Sequence, residues 1–193
     1  PQTVLYDKSR YLYGFDKAKN SIHQQKDAVL VEGNMDCILS HQAGLTNVAS
    51  VSGTALTPLQ LKILKRYTEN LSISFDMDLA GDSAAKRGIN LALGQGFNIK
   101  VITLPEGKDP ADLVVKSAKA WEESIEKAKS ILDFYFETTL KKFDKDTVEG
   151  KKQISKIILP IIKKISNKIE QTFWLQRLAN EIKAREKDLI AEM

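Results

Sequence analysis

Cysteine and histidine are scarce in this 193-residue sequence, which contains one cysteine, Cys37, and two histidines, His23 and His41. A single cysteine cannot form an internal disulfide, and this set cannot supply the Cys and His ligands of a structural zinc site. Any metal must therefore be held by oxygen atoms. Long apolar runs are missing too: none approaches the roughly 20 residues of a membrane-spanning helix, which excludes a membrane span.

The sequence carries only a slight excess of positive charge, with a formal net charge of +4. Residues 1–115 hold 12 Lys and Arg against 12 Asp and Glu, whereas residues 116–193 hold 17 against 13. This mild basic bias is compatible with nucleic-acid contact or with a solvated helical surface, and it does not decide between them. The sequence starts at Pro1 with no leader pattern, so we interpret it as an excerpt of a longer intracellular protein.

Short β-rich runs alternate with helical patterns from about residue 27, which predicts βαβ units around a parallel sheet with helices on both faces. The runs are near-continuous Val, Ile, Leu and Phe, as expected for strands covered on both faces. The predicted strands are residues 28–31, 47–51, 71–75 and 98–104. The predicted helices between them are about residues 35–43, a helix that starts at Pro58 after the N-cap Thr57, and about residues 80–93.

Strand signals end after Pro110, and the rest of the sequence predicts an all-helical subdomain. An isoleucine stripe from Ile154 to Ile165 and a second apolar stripe around Trp174 indicate a small bundle whose helices bury these faces against each other. The predicted helices are residues 111–116, 119–127, 131–142, 148–166 and 168–185. We therefore divide the α/β sequence into a lead-in segment (1–26), a sheet domain (27–115) and a helical bundle subdomain (116–193).

Carboxylates follow three of the four predicted strands. Glu32 and Asp36 come after the first strand, Asp76 and Asp78 after the third, and Asp109 after the fourth. Ligands bind beyond the carboxyl ends of the strands in an open α/β sheet, and clustered carboxylates favour Mg²⁺ or Mn²⁺. The alternative is that Asp76 caps the third helix and that Asp78 lies in a surface turn.

Phosphate contacts are predicted near the same edge. The second strand ends in Ser52-Gly53-Thr54, a small flexible loop whose amides could approach a phosphate. Arg87 and Lys86 follow on the third helix as candidate phosphate contacts, although for Lys86 the favoured interpretation is a solvated helix face.

Several short motifs resemble bacterial DnaG-type DNA primases in order and spacing, over nearly the whole chain and most strongly from Val29 to Leu113. The acidic residues among them are shared by all TOPRIM domains, including those of topoisomerases and related nucleases, and the surrounding residues are more specific. The motifs are Glu32-Gly33-x-Met35-Asp36, Ser52-Gly53-Thr54, Phe75-Asp76-x-Asp78-x-Ala80-Gly81, Ala84-Ala85-x-Arg87 and Leu104-Pro105-x-Gly107-x-Asp109-Pro110. The lead-in Tyr6-Asp7-Lys8-x-Arg10-x-Leu12-Tyr13-Gly14 resembles the segment that precedes the family's TOPRIM domain.

The resemblance implies a catalytic core fragment that synthesises RNA primers from ribonucleoside triphosphates on single-stranded DNA, holding an RNA–DNA hybrid, in the bacterial cytoplasm at the replisome. It implies catalytic roles for Glu32, Asp76 and Asp78, with two or more Mg²⁺ or Mn²⁺ ions held by these residues together with Asp36 and Asp109. In such an enzyme the candidate phosphate contacts Arg87, Lys86, Gly53 and Thr54 are expected to bind the triphosphate substrate. The resemblance further implies zinc in an N-terminal domain and helicase contact through a C-terminal domain, neither of which we find here.

Two alternatives stay open. One is another metal-dependent TOPRIM enzyme, a nuclease or topoisomerase-like protein that cuts phosphodiesters. The other is a non-catalytic module that uses the acidic edge for docking. Since a primase also needs a cationic channel for template and hybrid, we expect this excerpt to fold and bind metal but to prime weakly alone.

Overall fold

The computed structural model describes residues 7–53, 55–75, 84–105 and 107–193. Within these residues the chain forms a short 3-10 helix (Lys8–Arg10), ten α-helices and five strands. The elements are, in chain order, α1 (Phe15–Gln25), β1 (Ala28–Val31), α2 (Asn34–Gln42), β2 (Val48–Ser50), α3 (Pro58–Leu64), β3 (Asn70–Ser74), α4 (Ala84–Gly94), β4 (Asn98–Val101), α5 (Pro110–Lys116), α6 (Ala118–Glu126), β5 (Lys129–Ser130), α7 (Ile131–Lys142), α8 (Val148–Ile162), α9 (Lys168–Ile182) and α10 (Glu186–Glu192). No helix in the described parts of the chain is long and apolar enough to cross a membrane.

The sheet has the order β2-β1-β3-β4-β5. Strand β1 pairs in parallel with both β2 and β3, and β3 pairs in parallel with β4. All four residues of β1 are buried, as expected for a central strand that is covered on both faces. The predicted parallel arrangement is therefore confirmed for β1 to β4, although the fourth strand ends at Val101 instead of residue 104. The short fifth strand, β5, was not predicted, because it lies in the part of the sequence whose patterns are helical.

The described residues divide into two compact units, the second of which begins at Ser130. The first unit extends to Lys129, whereas the sequence analysis starts the helical subdomain at residue 116. The reason is Trp121 on α6, which is fully buried in a cluster with Val29 and Val31 of β1. Its indole nitrogen donates a hydrogen bond to the hydroxyl of Ser40 (2.9 Å). Helix α6 therefore packs with the sheet.

The lead-in segment, for which no helix or strand was predicted, contributes helix α1 and an isolated antiparallel bridge between Tyr13 and Ser50 of β2. Gly14 takes a positive φ of 75° before α1, and a Cβ atom there would lie 2.5 Å from the Cys37 sulfur. The side chain of Gln60 on α3 donates to the Tyr11 carbonyl (2.8 Å). Residues 7–25 thus pack as part of the first unit.

The second unit consists mainly of helices α7 to α10. Phe136 of α7 stacks on Trp174 of α9 with ring centroids 5.8 Å apart, and the Arg177 guanidinium lies over both rings. The predicted helix at 168–185 is too long: α9 ends at Ile182 because Lys183 takes a left-handed conformation with a φ of 52°. The separate helix α10 follows, which the sequence analysis did not predict.

Candidate functional site

Glu32 stands directly after β1, at the carboxyl end of the central strand, and its side chain is exposed. Its backbone carbonyl accepts hydrogen bonds from the Gly53 amide (3.0 Å) and the Ser50 hydroxyl (2.9 Å). Gly53 has a positive φ of 67°, which a residue without Cβ adopts easily. The predicted loop after β2 therefore holds the backbone of Glu32 in place, and the carboxylate extends from a fixed position.

Asn34 completes this arrangement, and the sequence analysis did not identify it as functional. Its side-chain oxygen accepts hydrogen bonds from the hydroxyls of Ser52 (2.8 Å) and Ser50 (3.3 Å). These contacts tie the loop after β1 to the loop after β2. No signal in consecutive residues reveals these contacts, because Asn34 lies 16 and 18 residues from the two serines in sequence.

Asp36 lies in the first turn of α2 and is 7% exposed. One carboxylate oxygen accepts from the Gly33 amide (3.0 Å) and the other from the Ala111 amide of α5 (3.1 Å). Burial raises the pKa of this carboxyl, the two backbone hydrogen bonds oppose that change, and nearby Asp109 and Asp112 add to it. Asp36 therefore connects the loop after β1 to the N-terminus of α5.

Asp109 is the N-cap of α5 and is exposed. Its side chain accepts a hydrogen bond from the Asp112 amide (2.7 Å), and Pro110 follows at the first helical position. The Asp112 carboxylate lies 3.8 Å from the Lys108 ammonium. The predicted carboxylate after the fourth strand, Asp109, thus caps the start of α5, and the Ala111 amide joins this helix start to Asp36.

A small cavity of about 120 Å³ lies beside Glu32. Phe75, the residue before Asp76, lines this cavity together with the loop after β2 and the start of α4. The lining residues are Glu32, Val51, Gly53, Ala55, Leu56, Phe75, Ala84 and Ala85. The structure therefore brings together residues of four of the sequence motifs around one recess: the loop after β1, the loop after β2, Phe75 after β3, and the start of the helix that carries Lys86 and Arg87.

Helix α4 approaches the loop after β2 closely at Gly88. A Cβ atom at Gly88 would lie 2.8 Å from the Leu56 Cβ and 3.1 Å from the Leu56 backbone nitrogen. Both residues are buried. The absence of a side chain at Gly88 therefore lets α4 contact the segment that lines the cavity, and it sets the distance between that segment and Arg87, which is exposed one residue earlier.

The predicted metal-binding set is only partly within the described residues. Asp76, Asp78 and Thr54 lie outside them. Among the residues that the structure describes, no three His, Cys, Asp or Glu side chains form a group that could hold a metal ion. Glu32, Asp36 and Asp109 do not form such a site by themselves, so the predicted centre depends on Asp76 and Asp78.

Comparison with known families gives two matches. Residues 29–114 match a Toprim-like family, and residues 132–186 match a family described as the DnaB-helicase binding domain of primase. The first match covers β1 from its second residue, β2, β3 and β4, together with the acidic residues that follow these strands. The second falls on α7, α8 and α9, inside the chain, whereas the sequence analysis assigned helicase contact to a further C-terminal domain.

Individual proteins agree with these matches. The DNA primase of Clostridium acetobutylicum is 38% identical over 200 residues, which cover 99% of this chain and 32% of that protein. A crystal structure of a DNA primase domain from Pseudomonas aeruginosa has a TM-score of 0.82 at 28% identity, covering 98% of this chain and 60% of that one. A DnaG primase catalytic domain solved bound to single-stranded DNA also has a TM-score of 0.82 at 28% identity, covering 97% of this chain and 61% of that chain.

The sheet order, the position of Glu32 and the Toprim-like match define residues 29–114 as a TOPRIM domain. The helical match and the primase relatives then extend the assignment along the chain. The chain belongs to the bacterial DnaG-type DNA primase family, as its sequence motifs indicate. It spans about a third of the length of the curated relatives that it matches.

Proposed function

We propose that this chain is the TOPRIM and helical part of a primase catalytic core that joins ribonucleotides into primers on a single-stranded DNA template. The observation that carries the proposal is the recess beside Glu32, where the loops after β1 and β2 and the start of α4 meet in a chain of the primase family. Nucleotidyl transfer needs the reacting triphosphate and hydroxyl to be positioned together, and a rigid sheet edge favours this.

Glu32, Asp76 and Asp78 are the residues that we propose to hold Mg²⁺ or Mn²⁺. Oxygen donors of this kind fit hard divalent cations, and Glu32 is exposed at the strand end where such a site is expected. The bound cations would neutralise triphosphate charge. Asp36 and Asp109 were predicted as further ligands; we propose that they act by fixing loops, since their carboxylate oxygens accept backbone hydrogen bonds.

Substrate contacts are proposed for Arg87 and Lys86 on α4, and for Gly53 and Thr54 after β2. The first two would bind phosphates of the incoming ribonucleoside triphosphate with their positive charge, and Gly53 would do so through its backbone. The template and the RNA–DNA hybrid would need further basic surface from the rest of the primase, because residues 1–115 have no net charge. We therefore expect weak primer synthesis by this chain alone.

Helicase contact is proposed for residues 132–186, which match the family described as helicase-binding. This supports recruitment of primer synthesis to an advancing replicative helicase in the bacterial cytoplasm. Zinc is expected only in a further N-terminal domain of the whole primase.

A Mn²⁺ titration of this chain, with and without a ribonucleoside triphosphate, tests the proposed site. Wild type should bind Mn²⁺, the triphosphate should tighten that binding, and Asp76→Asn/Asp78→Asn should lose both effects. The matched control is Glu122→Gln/Glu126→Gln, which removes the same charge from exposed positions of α6 and should leave binding unchanged. Equal binding by wild type and the aspartate variant would refute the assignment. Metal-dependent nicking of supercoiled plasmid would favour a TOPRIM nuclease instead.

A further inference from the structure

A groove of about 740 Å³ lies in the second unit, between α8 and the segment from Ile182 to Met193. The residues that α8 contributes to the groove recur at helical spacing, so one face of this 15-residue helix lines it. A helix of that length extends about 22 Å at 1.5 Å per residue, which is enough to accommodate three to four turns of a second helix. The lining residues of α8 are Val148, Lys151, Lys152, Ser155, Lys156, Leu159 and Pro160.

The floor of the groove is apolar. Leu159, Ile182 and Leu189 are buried there, Pro160 is exposed, and Val148 is 71% exposed. An apolar floor of this kind fits the leucine or isoleucine face of an amphipathic helix, which is a common mode of peptide recognition.

The rim of the groove is positive. Four lysines line it, Lys151, Lys152, Lys156 and Lys163, and Glu192 is the acidic residue among the lining positions. Lys163 donates a hydrogen bond to the Met193 carbonyl.

Lys152 and Lys156 are the lysines most open to a partner. Both are exposed, and neither forms an ion pair with a carboxylate in the described part of the chain. They stand four residues apart on one face of α8, where like charges repel each other. An acidic partner would relieve this repulsion.

The chemistry of the lining favours a protein helix over nucleic acid. Bound single strands stack their bases on aromatic side chains, and bidentate phosphate contacts use arginine. The groove residues include neither an aromatic side chain nor an arginine. Apolar contacts on the floor combined with lysines on the rim instead complement a helix that has leucines on one face and glutamates or aspartates beside it.

We propose that this groove, lined by α8 and the Ile182–Met193 segment, docks an acidic amphipathic helix of the replicative helicase. The inference rests on the proposed helicase contact and specifies its surface, since most of the groove lining falls within residues 132–186. The lysine rim would attract the partner and set its orientation, and the apolar floor would hold it.

The test uses the full 193-residue chain and the purified replicative helicase encoded in the same genome. Binding is measured for wild type and for Lys152→Glu/Lys156→Glu, at one ionic strength. The matched control is Lys168→Glu/Lys187→Glu, which makes the same charge change at exposed positions of α9 and α10 that do not line the groove. Circular dichroism verifies that each variant remains folded. A designed acidic amphipathic peptide of about 15 residues, and its lysine counterpart, serve as competitors.

We expect the groove variant to bind the helicase about tenfold or more weakly than the control variant, and the acidic peptide alone to displace the helicase from wild type. Equal helicase affinity for the groove variant and wild type would refute the groove as the docking surface without refuting the helicase contact. Absence of any helicase binding by wild type would overturn the helicase contact itself. A single-stranded oligonucleotide is tested in the same way. If it binds wild type more tightly than the groove variant, and displaces the helicase although the acidic peptide does not, the groove binds nucleic acid and the inference is wrong.

Discussion

Replacing Gly88 by alanine places a methyl group between α4 and the loop after β2. The new Cβ would lie 2.8 Å from the Leu56 Cβ, and both positions are buried. Overpacking of this kind costs about 1–3 kcal/mol. Alanine also improves helix propensity by about 1 kcal/mol over glycine. The expected net result for Gly88→Ala is a free energy of unfolding about 0–2 kcal/mol lower than that of wild type.

Gly94 provides the control within the same helix. A Cβ atom at Gly94 meets nothing within 4 Å, so Gly94→Ala should keep the propensity gain without the clash and be stabilising by up to about 1 kcal/mol. Urea unfolding of the two variants, followed by circular dichroism, should therefore separate them by about 1–3 kcal/mol. Equal stabilities would refute the close contact between α4 and Leu56.

The same pair of variants tests the connection to the site. Leu56 lines the cavity beside Glu32, and Arg87 stands next to Gly88 on α4. If the clash moves α4 or the loop, Gly88→Ala should weaken the triphosphate-dependent Mn²⁺ binding under conditions where the chain is fully folded. Gly94→Ala should leave that binding unchanged.

Two further predictions concern buried titratable groups. Asp36→Asn should lower the free energy of unfolding by about 1–3 kcal/mol at neutral pH, because one of the two backbone N–H groups loses its acceptor. The folded state raises the pKa of Asp36 above 3.8, so the contribution of Asp36 to the free energy of unfolding should fall as pH rises through that pKa. The difference in free energy of unfolding between wild type and the variant should therefore be larger in acid. A difference that does not change with pH would contradict this expectation. Burial raises the pKa of Cys37 from 9.0 to about 11, which lowers the thiolate fraction at pH 8. The Cys37 thiol should therefore react with a disulfide reagent at least about 100-fold more slowly in the folded than in the urea-unfolded chain. Comparable rates would exclude the buried environment.

Local patterns were sufficient to predict most of the secondary structure. The apolar run of β1 and the Thr57-Pro58 start of α3 were located correctly because each element carries its own signal in consecutive residues. Helix α7 was predicted with its observed bounds, Ile131–Lys142, for the same reason.

Tertiary contacts explain what the patterns missed. The predicted boundary at residue 115 did not anticipate that α6 packs on the sheet, since nothing in its periodicity reveals that Trp121 bonds to Ser40, which lies far away in sequence. The end of α9 depends on the left-handed conformation of Lys183. Glycine is the residue that indicates this conformation in a sequence, so a lysine there gave no sign that the helix ends.

The candidate site shows the same division. The residues at strand ends were identified because topology alone brings strand ends to one edge. The sequence could not distinguish a carboxylate that faces solvent, such as Glu32, from one that is used inside the fold, such as Asp36, because that depends on a partner at Ala111. The contacts of Asn34 with Ser50 and Ser52 depend equally on loops that are distant in sequence.

The bond between Asp36 and the Ala111 amide also bears on how far this domain can be shortened. A fragment that stopped before α5 would keep the four parallel strands β1 to β4 and the Glu32 loop, and its sheet would lose only the edge strand β5. It would nevertheless leave a carboxylate oxygen of Asp36 without its donor, at the turn that begins one residue after Glu32. The smallest independently working unit should therefore extend at least through α5, and dissection experiments that cut earlier would lose the site's geometry before they lose the fold.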